Sequence, residues 1–313
     1  MKAILRSIPE TVSPVIPYRI EFKRPDLDQL SERYTVVDMH FHSAYSDGIN
    51  GARTIAAKAR HLGIGIGITD HNEIRGALEI DRIEGVFSIP GIEVTSAEGS
   101  HLLVYFDAVD KLRQFYFDDI QPFMGPDVMC STRLEMEEII DRAKPYDALV
   151  VFPHPFSAAY TGVCNSYFSE DRLQNLFEAV DGVEVINASN MNKWNLQCAV
   201  LGFNIGKVMT GGSDGHRISQ MGRAVTCVEC PPDRSAFLKA LRERQSLVVG
   251  KEIDIIRKVT THTIKLRTNW KNYPDLLEKN IRYSYALFNS KSRNLRDNVR
   301  RSLNNRMNRK KSL

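Results

Sequence analysis

The sequence predicts an α/β domain in which mainly parallel strands alternate with helices and curl toward a barrel. Three observations carry this reading. Between residues 34 and 250, short β-branched runs alternate with amphipathic stretches. About seven or eight strand units fall in roughly 215 residues, a density that suits a closed or nearly closed ring better than an open sheet. Six of the eight histidines lie directly after or within a strand signal rather than on a helix.

Taken in order, the strand signals are TVVDM (35–39), IGIGIT (64–69), VFSIPGIEV (86–94), SHLLVYF (100–106), ALVVF (148–152), GVEVIN (182–187), KVMTGG (207–212) and AVTCVE (224–229). Helices separate most of them. ARTIAAKARHL follows Gly51 and puts Ile55, Ala59 and Leu62 on one face, while Thr132 and Glu135 have the spacing of a capping box ahead of MEEIIDRAK. DRLQNLFEAV, NKWNLQCAVLG and RSAFLKALRER are further helices. Gly63, Gly65 and Gly67 mark a tightly packed strand: the third glycine comes one residue too early for a dinucleotide fingerprint, and no helix opens there.

Three segments follow from composition and pattern: an N-terminal extension (1–33), a β/α barrel domain (34–250) and a basic C-terminal segment (251–313). The net charge of +4 is uneven. Residues from Arg257 onward carry about +13 and the preceding part about −9. The basic segment reads as a frayed helix or disorder, either as a solubilising tail or as a contact for nucleic acid or another polyanion. Five scattered cysteines do not form a disulfide framework, and the Cys227–Cys230 pair reads as two half-buried thiols. No stretch approaches the ~18 apolar residues that span a bilayer, and Arg6, Glu10 and two prolines interrupt the start. The expectation is a cytoplasmic protein without a membrane partner.

The histidines point to chemistry. His40 and His42 form an HxH pair on an extended segment, which places both imidazoles on one side. His71 follows the second strand, Glu93 lies on the third, His101 opens its hairpin partner, His154 follows the fifth, and Asp214 and His216 follow the seventh. In a β/α barrel these positions meet on one rim. With Asp47 they make about nine candidate ligands, more than one ion requires, so two or three neighbouring ions are expected. A mixed imidazole and carboxylate set suits Zn, Mn or Fe. Asp38 and Asp70 are candidates for orienting ligand imidazoles, with a helix N-cap as the alternative for Asp70. Arg217 and Arg223, just after the last of these motifs, are either phosphate-gripping groups or surface arginines.

DMHFHSAYSDG, ITDHN, PGIEVTSAEGSHLL, FPHP and GGSDGH, in this order, resemble the motif series of the PHP (polymerase and histidinol phosphatase) family of metal-dependent phosphoesterases. The resemblance spans about residues 34 to 225 and implies a distorted (β/α)7 barrel with three metal ions at its C-terminal rim. Carried over, it assigns His40, His42, Glu93 and Asp214 to one ion. Glu93 would bridge to a second, completed by His101 and His154, and Asp47, His71 and His216 would hold the third. Many relatives have histidine where Asp47 stands; the subgroup acting on nucleotides and small phosphates resembles this sequence in having Asp.

The expected activity is hydrolysis of a phosphate ester of a nucleotide, short oligonucleotide or other small phosphorylated metabolite by water activated on the ions, with Asp214 or His216 managing the proton. A histidinol-phosphatase-like monoesterase, another metal-dependent hydrolase and a regulatory nucleic-acid-binding module are the alternatives. Phe115, Tyr116, Phe117, Phe123 and Tyr160, in stretches read as loops, either stack on a base or pack on the barrel.

Overall fold

A computed structural model describes residues 19–157, 161–165 and 167–252. Tyr160 and nearly all of the basic segment lie outside the described residues. The elements run β1 (Arg19–Glu21), α1 (Leu27–Ser31), β2 (Thr35–Phe41), α2 (Ala52–His61), β3 (Gly65–Ile68), α3 (Arg75–Asp81), β4 (Gly91–Thr95) and β5 (His101–Tyr105). After these come α4 (Val109–Phe115), α5 (Met136–Ala143), β6 (Leu149–Phe152), α6 (Glu170–Ala179), β7 (Gly182–Asn187), α7 (Asn192–Ile205), β8 (Val208–Gly212), β9 (Ala224–Val228), α8 (Arg234–Arg242) and β10 (Ser246–Gly250). None of the described helices is long and apolar enough to cross a membrane.

The strands do not close into one ring. They form two five-stranded sheets, ordered β1-β10-β9-β2-β3 and β4-β5-β6-β7-β8. Nor are they mainly parallel: β5 runs against β4 and β6, and β9 against β2 and β10. The connections explain both reversals. Only a short turn separates β4 from β5, and a helix-free loop leads from β8 to β9, whereas a parallel return needs a crossover of a dozen or more residues, usually a helix. Isolated bridges stitch the sheets together, His71 to Glu93 and Ile66 to Ser88 on one side, Phe41 to Gly215 on the other.

Alternate strand residues feed two cores, as a period of two requires. Val37 and Met39 of β2, Leu103 and Tyr105 of β5, Leu149 and Val151 of β6 and Val228 of β9 join Phe237, Leu238 and Leu241 of α8 in one cluster. Both sheets contribute to it, so they face each other across a shared interior. The other strand faces pack under the outer helices, with Ile55 and Ala59 of α2 and Ile139 and Ile140 of α5.

Local signals differ in places. The capping box of α5 is formed by Glu135 and Glu138, because the Thr132 hydroxyl instead donates to the Thr95 carbonyl (2.9 Å). The stretch after β5, read as a loop, is helical through Phe123 and buries Phe115 and most of Tyr116 while leaving Phe117 exposed. β1 and α1 precede residue 34, and β1 pairs in parallel with β10.

Candidate metal centre

The strands end where the predicted ligands stand. His40 and His42 lie at the end of β2, Glu93 is within β4, His101 begins β5, and His71, His154, Asp214 and His216 follow β3, β6 and β8. Asp47 comes from the loop after β2. All nine come together, and the side chains of His40, His42, Asp47, Glu93 and His216 are at most 3% exposed.

The spacing fits an ion. His40 Nε2 is 3.2 Å from His42 Nε2, both lie 3.4 Å from Glu93 Oε2, and Asp214 Oδ1 is 3.7 and 3.2 Å from the same two nitrogens. A tetrahedral ion with bonds of about 2.0–2.2 Å needs ligand atoms roughly 3.3–3.6 Å apart. The other oxygen of Glu93 faces away from this group, 2.8 Å from His101 Nδ1 and 3.4 Å from His154 Nε2. Asp47 reaches His216 Nε2 at 2.9 Å and His71 Nε2 at 3.9 Å. His71 also faces Glu93, with Nδ1 3.1 Å from Oε2.

Glu93 Oε2 is buried with no hydrogen-bond partner, although three imidazole nitrogens surround it. Nδ1 of His42, His71 and His154 is likewise buried without one. Such groups are rare unless something completes them, and a cation would.

Charge follows the packing. Burial disfavours the charged form of Glu93, but His101, His71 and His40 outweigh it and hold the carboxyl well below the usual range. For His40, burial is outweighed by Glu184, Glu93 and Asp214, which raise its pKa. His71 is pushed down to about 3 by burial, against the pull of Glu93 and Asp47.

Two predicted orienting groups do something else. Asp38 accepts from the backbone N–H of Ser213 (2.8 Å) and Gly222 (2.9 Å), so it fixes the loop carrying Asp214 and His216 instead of touching an imidazole. Burial pushes its pKa up to about 6. Asp70 accepts from Ser43 N (2.7 Å), Ser43 Oγ (2.6 Å) and Ser46 Oγ (2.6 Å), holding the loop that leads to Asp47; it is not a helix cap either, since α3 begins after Ile74. Arg217 directly follows His216 and is partly buried, with its backbone N–H on Gln220 Oε1. Arg223 stands just before β9.

The sequence reading missed Glu184. This β7 residue is buried, with Oε1 3.1 Å from His40 Nδ1, while Oε2 accepts from His154 N (2.9 Å) and Asn187 Nδ2 (2.9 Å). Asn187 also lies 3.4 Å from Asp214 Oδ2. One carboxylate therefore touches two ligand segments and, through Asn187, a third. The available signal was a glutamate inside an otherwise apolar strand, since an ionised group is almost never fully buried without a partner. His154 and Asp214 also hold left-handed backbone (φ 32° and 48°), as does Asn72 (φ 44°).

Glu98, Glu135 and Glu137 form another group close enough to share an ion, but Arg172 bonds to all three and supplies the positive charge.

The PHP domain model matches residues 38–198, just over half of the chain, and the PHP-associated model matches 204–246. An uncharacterized protein of Methanocaldococcus jannaschii is 29% identical over 166 residues, 48% of this chain and 81% of its own length. Among solved structures, an endonuclease Q complex with duplex DNA carrying an abasic lesion superposes with a TM-score of 0.55 at 19% identity, over 70% of this chain and 60% of that one. The lesion-specific endonuclease Q of Pyrococcus furiosus also gives 0.55 at 19% identity, over 69% and 57%. Likeness at that level shows the fold. The family assignment rests on the domain match over more than half of the sequence, and by it the chain belongs to the PHP family of metal-dependent phosphoesterases.

Proposed function

We propose that the protein hydrolyses a phosphate ester of a nucleotide, short oligonucleotide or other small phosphorylated metabolite, with the nine rim residues holding three divalent ions, Mn, Zn or Fe. The observation that carries this reading is the convergence of six imidazoles and three carboxylates from both sheets at the spacing of metal ligands. His40, His42, Glu93 and Asp214 form one site, Glu93 with His101 and His154 a second, and Asp47, His71 and His216 a third.

Ions bound there supply Lewis-acid charge to the phosphoryl oxygens and lower the pKa of water toward about 7. The residues set the geometry. Glu93 presents one oxygen to each of two sites, which keeps them at a fixed separation. Asp214 stands at the open edge, its side chain 15% exposed and the most open of the nine, and His216 lies buried beside it with Nδ1 3.9 Å from Asp214 Oδ1, so either can manage a proton there. Arg217, directly after His216, and Arg223, just before β9, would offer guanidinium groups to phosphate oxygens. Oligonucleotides belong among the candidate substrates because a neighbour of the same fold is an endonuclease, and because the basic segment from Arg257 offers counter-charge to a phosphate backbone.

The test is metal-stripped protein reconstituted separately with Mn, Zn and Fe(II). It would be offered nucleoside monophosphates, a 3′,5′-bisphosphate, short oligonucleotides, histidinol phosphate and a chromogenic diester. The expected result is phosphate release or strand shortening that returns with metal on at least one substrate. No turnover on any of them, with metal bound, would transfer the assignment to a non-phosphate hydrolase.

Glu184→Gln keeps the shape of the side chain and removes its charge. Loss of such a supporting group typically costs 10- to 100-fold in metal affinity, so a drop of about that size is expected in a chelator competition, with the circular dichroism spectrum unchanged. Unaltered affinity would show that Glu184 only fills space.

A further inference from the structure

Arg75, the first residue of α3, is exposed and yet held in place. Its side chain is 61% exposed, while that of its partner Glu73 is 6% exposed. One oxygen of Glu73 accepts from Arg75 Nε (2.8 Å) and Nη2 (2.6 Å), and the other accepts from the Arg75 backbone N–H (2.9 Å). The ring of Tyr45 lies against the guanidinium, its centre 4.8 Å from Cζ. A surface arginine normally keeps its rotamer freedom; here much of it has been given up before any ligand arrives.

These contacts leave one part of the group open. Glu73 occupies the Nε–Nη2 edge and Tyr45 one face, while Nη1 makes no hydrogen bond among the described residues. The open end presents one N–H of Nη1 and one of Nη2 side by side, a fork that fits two oxygens of a phosphate. A nucleobase is the poorer occupant, because the guanidinium already takes one face of the Tyr45 ring.

The fork stands beside the metal centre. Tyr45 is two residues before Asp47 and Arg75 four after His71, and both of those are proposed for the third site. The head of α3 presses on the same loops: a Cβ on Gly76 would stand 2.6 Å from Ser43 Oγ. Arg75 pairs with Glu73 and not with Asp47 or Glu93, so it lies outside the ligand cluster.

We propose that Arg75, braced by Glu73 and Tyr45, grips a phosphate of the substrate other than the one at the ions, and so sets a preference for substrates that carry two. The proposal rests on the phosphoesterase reading above. Two sources share this chemistry, the second terminal phosphate of a small bisphosphate and the neighbouring diester of an oligonucleotide. An ion pair that served only to hold the head of α3 would leave such a preference untouched.

Arg75→Lys separates the two roles, since lysine keeps a positive charge for Glu73 and lacks the fork. With the full chain reconstituted with metal, kcat/KM is compared for adenosine 3′,5′-bisphosphate against AMP, and for a 5′-phosphorylated adenylyl dinucleotide against AMP. The parent is expected to prefer the substrate with two phosphates. That preference should fall about tenfold or more in Arg75→Lys and in Arg75→Gln, with the metal content per chain unchanged. A fall in the first comparison marks a terminal phosphate as the ligand, and a fall in the second a diester. A parent without preference, variants that keep it in both comparisons, or a fall that comes with loss of metal overturns the proposal. If no phosphate ester is turned over, the functional reading fails by itself, and the same ratios taken from calorimetric dissociation constants decide the role of Arg75 by the same criteria.

Discussion

Replacing His42 with alanine is expected to lower turnover by at least about 10³-fold while leaving the fold largely intact. His42 Nε2 lies within 3.4 Å of His40, Glu93 and Asp214, and its Nδ1 lies 3.6 Å from Asp47, so the side chain touches ligands assigned to two of the three sites. Removing it takes a ligand from one site and opens a gap beside another. A metal-dependent step worth several kcal/mol corresponds to a rate loss of that order, at ~1.36 kcal/mol per tenfold. The readouts are kcat/KM on whichever substrate responds and the metal content per chain. His61→Ala, on the exposed end of α2, is the matched control and should change neither. Normal activity in the His42 variant would remove it from the machinery.

The largest effect on stability is expected from Gly212→Ala. A Cβ at this position, the last of β8, would stand 2.4 Å from His40 Cβ and 2.6 Å from His40 N. The obstruction is mainly backbone, which cannot swing aside, so β8 and β2 must separate where the two sheets meet. Overpacking of this kind costs about 2–3 kcal/mol. For a domain of this size that lowers Tm by roughly 5–10 °C. Metal affinity should fall with it, because the residue displaced, His40, is one of the proposed ligands. A scanning calorimetry trace within about 1 °C of the parent would show that the sheets yield there without strain.

Much of the side-chain cluster was legible because its candidate ligands sit at or just past strand ends, where one residue type and one position suffice to mark them. His154 and His216 are examples. Glu184 was not, since its partner His40 is 144 residues away and nothing near β7 in sequence announces the contact. Asp38 lies within β2 and Asp70 just past β3, and both were given partners other than the ones they have. Each is fully buried beside main-chain N–H groups of a loop that follows another strand, β8 for Asp38 and β2 for Asp70, and a carboxylate meets those as readily as an imidazole. Strand number suggested a ring, yet closure depends on register between β3 and β4 and between β2 and β8, which a strand count does not contain. SLVVG, which became β10, is a strand signal overlooked beside α8, and the three residues of β1 are too few to show a period.

The left-handed backbone at His154 and Asp214 has a consequence for anyone redesigning this protein. Glycine adopts that conformation freely, while other residues are held in it at about 1 kcal/mol or more each. A procedure that optimises thermostability alone would write glycine at both positions and delete two of the nine residues we propose as ligands in doing so. Along this rim, the residue that folds best and the residue that does chemistry are different residues, and a sequence that keeps histidine and aspartate there has been held to the second requirement.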